Sequence, residues 1–254
     1  MWKLWKIRSG DLVKNNSTDM KIKPTDTCYI CGKQACSSEH APARSFFPKS
    51  MRTNLIQVPS CEEHNESTSK DDEYVRLIIS SHFRNNETGK NQSTDKGIKT
   101  IQRSPALSQA LLENKLDATI VRKDYSKEHS IAIQIDRERF DNEIRKIAYA
   151  LYYHKYGRRW NRALNIATYD LFDNNGNVDE LGKLMLETKK MQEQIGTLEY
   201  EGDNPEVFKY VFMETDSPDE TILQMMFYEG FELWTFPVFS STGPVITKQR
   251  DDTK

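Results

Sequence analysis

Cysteine is scarce and unevenly placed. The 254 residues hold four, of which Cys28, Cys31 and Cys36 fall within nine positions and Cys61 stands beside His64. No run approaches the ~18 apolar residues that a membrane-spanning helix needs. The start, MWKLWKIRSGD, lacks the apolar stretch and small-residue cleavage site of a signal peptide. The expectation is an intracellular, cytoplasmic protein with no membrane partner, in which cysteines read as metal ligands rather than disulfides. Apolar material is also modest, at 37% against 29% charged residues. That is lean for one large core and suits a small module held by something other than hydrophobic burial.

Net charge is only −2, but it is unevenly distributed. Residues 1–60 carry ten Lys/Arg against four Asp/Glu, and residues 170–232 carry four against sixteen. A basic N-terminal part can attract polyanions, whereas the acidic stretch suits a protein contact or internal shielding. Along the chain, NLIQVPSC reads as a short strand and residues 64–83 as a helix. Residues 84–100 are polar, hold two glycines and show no apolar periodicity, which reads as a linker. Beyond them, SPALSQALLENKL predicts a helix, and DATIVRKD and SIAIQID predict strands. Phe140, Ile144, Ile147, Ala148 and Leu151 form one helical stripe that ends at Gly157. A further strand (ALNIATYDLF), a helix (VDELGKLMLETKKMQEQ) and antiparallel strands rich in Phe, Tyr, Met and Trp complete an α+β pattern.

Cys28-x2-Cys31 and Cys61-x2-His64 are two pairs with short internal spacing, separated by 29 residues. Such pairs let two chain segments supply a tetrahedron of sulfur and nitrogen ligands, the geometry of structural zinc. Cys36 is either a packed free thiol or an alternative to His64 as fourth ligand. Between and beside the pairs lie Glu39–His40, Asn54 and Asn65.

This ordered set resembles the HNH, or His-Me finger, endonucleases, specifically their zinc-knuckle branch. The likeness covers roughly residues 24–80, with His40 14 residues before Asn54 and 25 before Asn65. It implies an α+β chain: a zinc-stapled ββα-metal domain at 1–84, a linker at 85–100, and an α+β accessory domain with an antiparallel sheet at 101–254. It also implies a metal-dependent endonuclease that hydrolyses phosphodiester bonds of double-stranded DNA, in the manner of phage-defence or restriction effectors. By resemblance Glu39 and Asn65 would hold a catalytic divalent ion such as Mg²⁺. His40 would be the general base, and Asn54 would fix its tautomer. Asn54 stands seven residues before Cys61, further than in many relatives. Arg44, Lys49 and Arg52, between His40 and Asn54, are candidates for phosphate contact. HKYGRRWNR, residues 154–162, interleaves bases with aromatics and reads as a nucleic-acid contact or a basic helix end. The accessory domain would bind substrate, a protein regulator or a second copy of the chain. The competing class is a non-catalytic zinc module that recognises nucleic acid or protein.

Overall fold

The computed structural model describes residues 20–65, 69–113, 115–121, 124–171, 180–195, 198–213 and 217–238. The basic start of the chain and residues 172–179 lie outside them. The chain is α+β with antiparallel sheets. Ser37–His40 (β1) pairs with Gln57–Ser60 (β2), in a register running from Ser37 opposite Ser60 to His40 opposite Gln57. The loop between them makes two 3-10 turns, Arg44–Phe46 and Lys49–Met51, and buries Phe46 and Phe47. One helical turn, Glu62–Asn65 (α1), follows β2, and then Ser69–Ser80 (α2). Asp71 and Asp72 in the first turn of α2 complement its dipole. Tyr74, Val75, Leu77, Ile78 and Ile79 are its buried apolar side chains, and Arg76 and Ser80 are buried with them.

Residues 85–100, expected as a linker, are mostly helical instead. Glu87–Gln92 (α3) runs through a π-helical turn at Ser93–Gly97 into Ile98–Arg103 (α4). Asn86 caps α3, its side chain accepting from Gly89 N at 3.1 Å. The two glycines that suggested flexibility are close-approach positions. A Cβ on Gly89 would lie 2.8 Å from side-chain atoms of Asn85 and Tyr228, and one on Gly97 3.1 Å from Leu77 of α2. Pro105–Leu112 (α5) follows, with proline at its start. Leu116–Val121 (β3) and Lys127–Ala132 (β4) then form a largely exposed antiparallel pair.

Arg137–Tyr156 (α6) is the central helix. Asp136 caps its start by accepting from Arg139 N, and Gly157 ends it in the left-handed conformation at φ 65°. The predicted stripe Phe140, Ile144, Ile147, Ala148 and Leu151 is buried. α6 packs against α2 and β2, and against Leu164–Ala167 (β5). Glu180–Ile195 (α7), Phe208–Met213 (β6), Ile222–Phe227 (β7) and Phe231–Pro237 (β8) complete the described elements. The sheet order is β5-β8-β7-β6, antiparallel throughout. One hydrophobic cluster joins Phe46 and Phe47, α2, α6 and this sheet, so it draws on both sides of residues 85–100. Tyr228, in the turn after β7, donates from its hydroxyl to Phe46 O at 2.7 Å across that join. No helix among the described residues is long and apolar enough to cross a membrane.

Candidate functional site

The first knuckle is a tight turn. Cys28 N donates to Lys33 O and Gly32 N to Cys28 O, with Gly32 at φ 75°. It is tied to the strand pair by Tyr29 N to Pro59 O and Cys36 N to Ser60 O. The second pair opens α1, where His64 N and Asn65 N both donate to Cys61 O, which sets His64 one turn after Cys61. The donor atoms of Cys28, Cys31, Cys61 and His64 all lie within 4.8 Å of one another. Cys28 Sγ to His64 Nδ1 and Cys31 Sγ to Cys61 Sγ are each 3.7 Å, and Cys61 Sγ to His64 Nδ1 is 3.1 Å. Zinc–sulfur bonds of about 2.3 Å in a tetrahedron give sulfur–sulfur edges of about 3.8 Å. The four residues are therefore close enough to hold one metal ion, an arrangement consistent with structural zinc. Cys36 is exposed and outside the cluster, so His64 takes the fourth place.

Cys28 and His64 are tuned toward that use, while burial and the neighbouring thiols push Cys61 up to about 11. Burial pushes the Cys28 thiol up, but backbone amides of Cys31, Cys61 and Ile30 outweigh it and leave the thiol below its ordinary value. Burial also lowers the His64 imidazole and favours its neutral, ligating form. Arg159 of the basic 154–162 stretch lies over this turn and donates to Ile30 O at 3.3 Å. Its neighbours are engaged internally as well. Lys155 pairs with Glu201, Arg158 with Asp219, and Trp160 stacks on Tyr152 at 4.6 Å.

Residues of β1 and α1 also line a cleft of about 570 Å³. Glu39, His40 and Asn65 all line it. Asn65 is anchored to β1, its Nδ2 donating to Ser37 Oγ at 2.8 Å and to Ser38 O at 3.4 Å. Glu39 is mostly buried, and both its oxygens are engaged: Oε2 accepts from Tyr29 Oη and Oε1 from Lys146 Nζ, each at 2.8 Å. Lys146, on α6, also reaches Glu143 at 3.2 Å and Asp72 at 3.9 Å. Three carboxylates thus surround one ammonium. Burial opposes the charge on Lys146, but Glu143, Glu39 and Asp72 outweigh it and raise its pKa. Burial pushes the Glu39 carboxyl up despite the opposing pull of Lys146, and pushes Glu143 up further.

Asn54 is not brought to the cleft. It is exposed in the turn before β2 at φ 54°, makes no hydrogen bond to His40, and has the left-handed backbone that asparagine tolerates better than most residues. The expectation that it fixes the His40 tautomer is corrected accordingly. Arg44 and Arg52 line the cleft, whereas Lys49 lies outside its lining. Sequence reasoning missed Lys70, Arg76, Lys96, Lys99 and Arg103, which complete a cationic wall, and Asp72 and Glu73. A helical spacing of three and four at Lys96, Lys99 and Arg103 was the available signal, masked by the linker-like composition around it. Lys146 carried no signal toward the cleft, because Glu39 and Asp72 are distant in sequence and only Glu143 is near.

Compared with protein-family models, with curated proteins and with solved structures, the chain has no match.

Proposed function

We propose that this chain is a metal-dependent endonuclease of the HNH, or His-Me finger, kind, acting on DNA. The observation that carries the reading is the shared cleft. Glu39, His40 and Asn65 line one cavity with seven lysines and arginines, while the Cys/His cluster joins the Cys28–Cys31 turn, itself hydrogen-bonded to the β1–β2 pair, to the turn bearing Asn65. In this reading zinc is the structural ion, held by Cys28, Cys31, Cys61 and His64. The donors for a hydrolytic divalent ion are the Glu39 carboxylate and the Asn65 carboxamide oxygen, a hard oxygen set suited to Mg²⁺. Such an ion, when bound, neutralises charge on the phosphate and on the departing 3′ oxygen. His40 accepts the proton of the water that attacks phosphorus, as a general base. Arg44 and Arg52 hold the phosphate backbone against that water. Lys146 and Tyr29 orient the Glu39 carboxylate.

One observation favours a second reading, a non-catalytic zinc module that binds nucleic acid or protein: both oxygens of Glu39 are already engaged within the chain. Incubation with supercoiled plasmid and Mg²⁺ or Mn²⁺ separates the two. Nicking that His40→Ala abolishes, with metal content and melting unchanged, supports the nuclease. Absence of cleavage by the wild-type chain on both DNA and RNA supports the second reading.

A further inference from the structure

We propose that the helical segment α3–α4 is a phosphate-gripping wall that holds duplex nucleic acid by its sugar–phosphate backbone and reads no bases; the proposal rests on the nuclease reading for its placement beside His40. Lys96, Lys99 and Arg103 are spaced three and four apart, so they share one helical face, and all three line the cleft with His40. Gly97 lets this segment approach Leu77 of α2, which brings the same face alongside Arg76. The Lys96 ammonium is fixed in place by donating to Ser45 O at 3.0 Å and Phe47 O at 3.2 Å. Among the described residues no carboxylate pairs with Lys99 or Arg103.

The cluster bears its own repulsion. Burial first, and then Arg52, Arg76 and Lys49, push Lys96 down to about 8. Like charges gathered this closely and facing a cavity are relieved by a polyanion. The composition of the lining narrows its form. Among the described residues no Phe, Tyr or Trp lines the cleft, and the one carboxamide there, Asn65, is engaged with β1. Single-strand binding draws on base stacking over aromatic faces, and base readout draws on Asn, Gln or Arg placed in a groove with aligned acceptors. Cations on one helical face lack the first and serve phosphates. Duplex DNA and duplex RNA share that backbone chemistry.

The test is fluorescence anisotropy on the full chain carrying His40→Ala, without added divalent ion, across a salt series. Its probes are two DNA duplexes of unrelated sequence, one of their single strands, and an RNA duplex. Expected are equal affinities for the two DNA duplexes and weaker binding of the single strand. Lys99→Ala/Arg103→Ala, two exposed positions whose replacement spares the fold, should weaken duplex binding at least about fivefold and lower the slope of log K against log salt by about 2. Preference for either duplex type sustains the wall and names its source. An unchanged slope in the double variant, tighter binding of the single strand, or preference for one DNA sequence overturns it. The nuclease reading fails separately: wall-dependent binding with no cleavage by the wild-type chain sinks that reading and leaves the wall standing. Cleavage with wall variants that bind as wild type does the reverse.

Discussion

Around the Cys/His cluster the buried apolar side chains are few: Tyr29, Ala41, Val58 and Ala150 accompany Cys28 and Cys61. The four-stranded sheet and the helices on it instead bury Phe140, Phe208, Phe227, Tyr228, Phe231 and many aliphatic neighbours in one cluster. The first region presents polar strands, with Ser37, Ser38, Glu39 and His40 all short of full burial on β1. The second presents β8, where every residue from Phe231 to Pro237 is buried. A strand of half-exposed polar residues offers a reactive surface but little burial energy, so its position must be fixed by something stronger per residue. Glu39 and His40 are held where apolar packing is thin, and four side chains close enough to hold one metal ion lie beside them.

Removing the metal is the most direct way to break that contrast. Structural zinc in small modules contributes on the order of 10 kcal/mol of binding free energy, comparable with the whole stability of a domain. Chelation, or Cys28→Ser, is expected to unfold the β1–β2 region while the sheet survives. Hydrogen exchange should therefore become fast at residues 37–40 and 57–60 and stay slow in β7 and β8. Equal loss of protection in both would show that the sheet, too, depends on the ion. The reverse substitution is Phe231→Ala, which removes a ring at 1% exposure from the large cluster. Its expected cost is about 3–5 kcal/mol by denaturant unfolding, with metal content unchanged.

The same contrast explains what could be read from sequence. The α6 stripe and the aromatic strands were legible because repeated apolar residues report a buried face at period 3.6 or 2. The ligand pairs were legible because their spacing is short and their chemistry narrow. Residues 85–100 were not, because α3 and α4 are short and polar and are held by glycine contacts to Tyr228 and Leu77. Tertiary contact overrode local propensity there. Within the cleft, Glu39 and His40 stood out as neighbours, but the link from Glu39 to Lys146 spans residues that no local pattern connects.

Lys146 is where the two regions meet, since α6 carries it and β1 carries its partner Glu39. Lys146→Met keeps the length of the side chain and removes its charge, leaving Glu39, Asp72 and Glu143 without their shared cation. Breaking such a buried pair costs about 3 kcal/mol. Adding Glu39→Gln to Lys146→Met should return part of that loss, a coupling read from a double-mutant cycle. Additive costs would show that the two regions meet here without interacting.

The smallest expected effect separates two neutral imidazoles, His64 in the cluster and His82 near the sheet. His82 is held down to about 4, first by burial and then by the Arg84 guanidinium, which pairs with the same Asp170 carboxylate that His82 faces at 3.4 Å. The nearby carboxylate would by itself raise His82; its pairing with Arg84 leaves burial in control. Because the folded value lies below the ordinary 6.5, the unfolded chain binds the extra proton between 6.5 and 4. Stability from this residue is therefore complete above pH 6.5 and lost as pH falls toward 4, at about 1 kcal/mol for the first unit. Urea unfolding at pH 6.5 and 5.5 should show that loss, and His82→Gln should remove it. Exchange protection in β8 should weaken over the same interval with metal content constant. A loss that instead tracks release of the metal would assign the pH dependence to His64 and the thiols, and so to the other region.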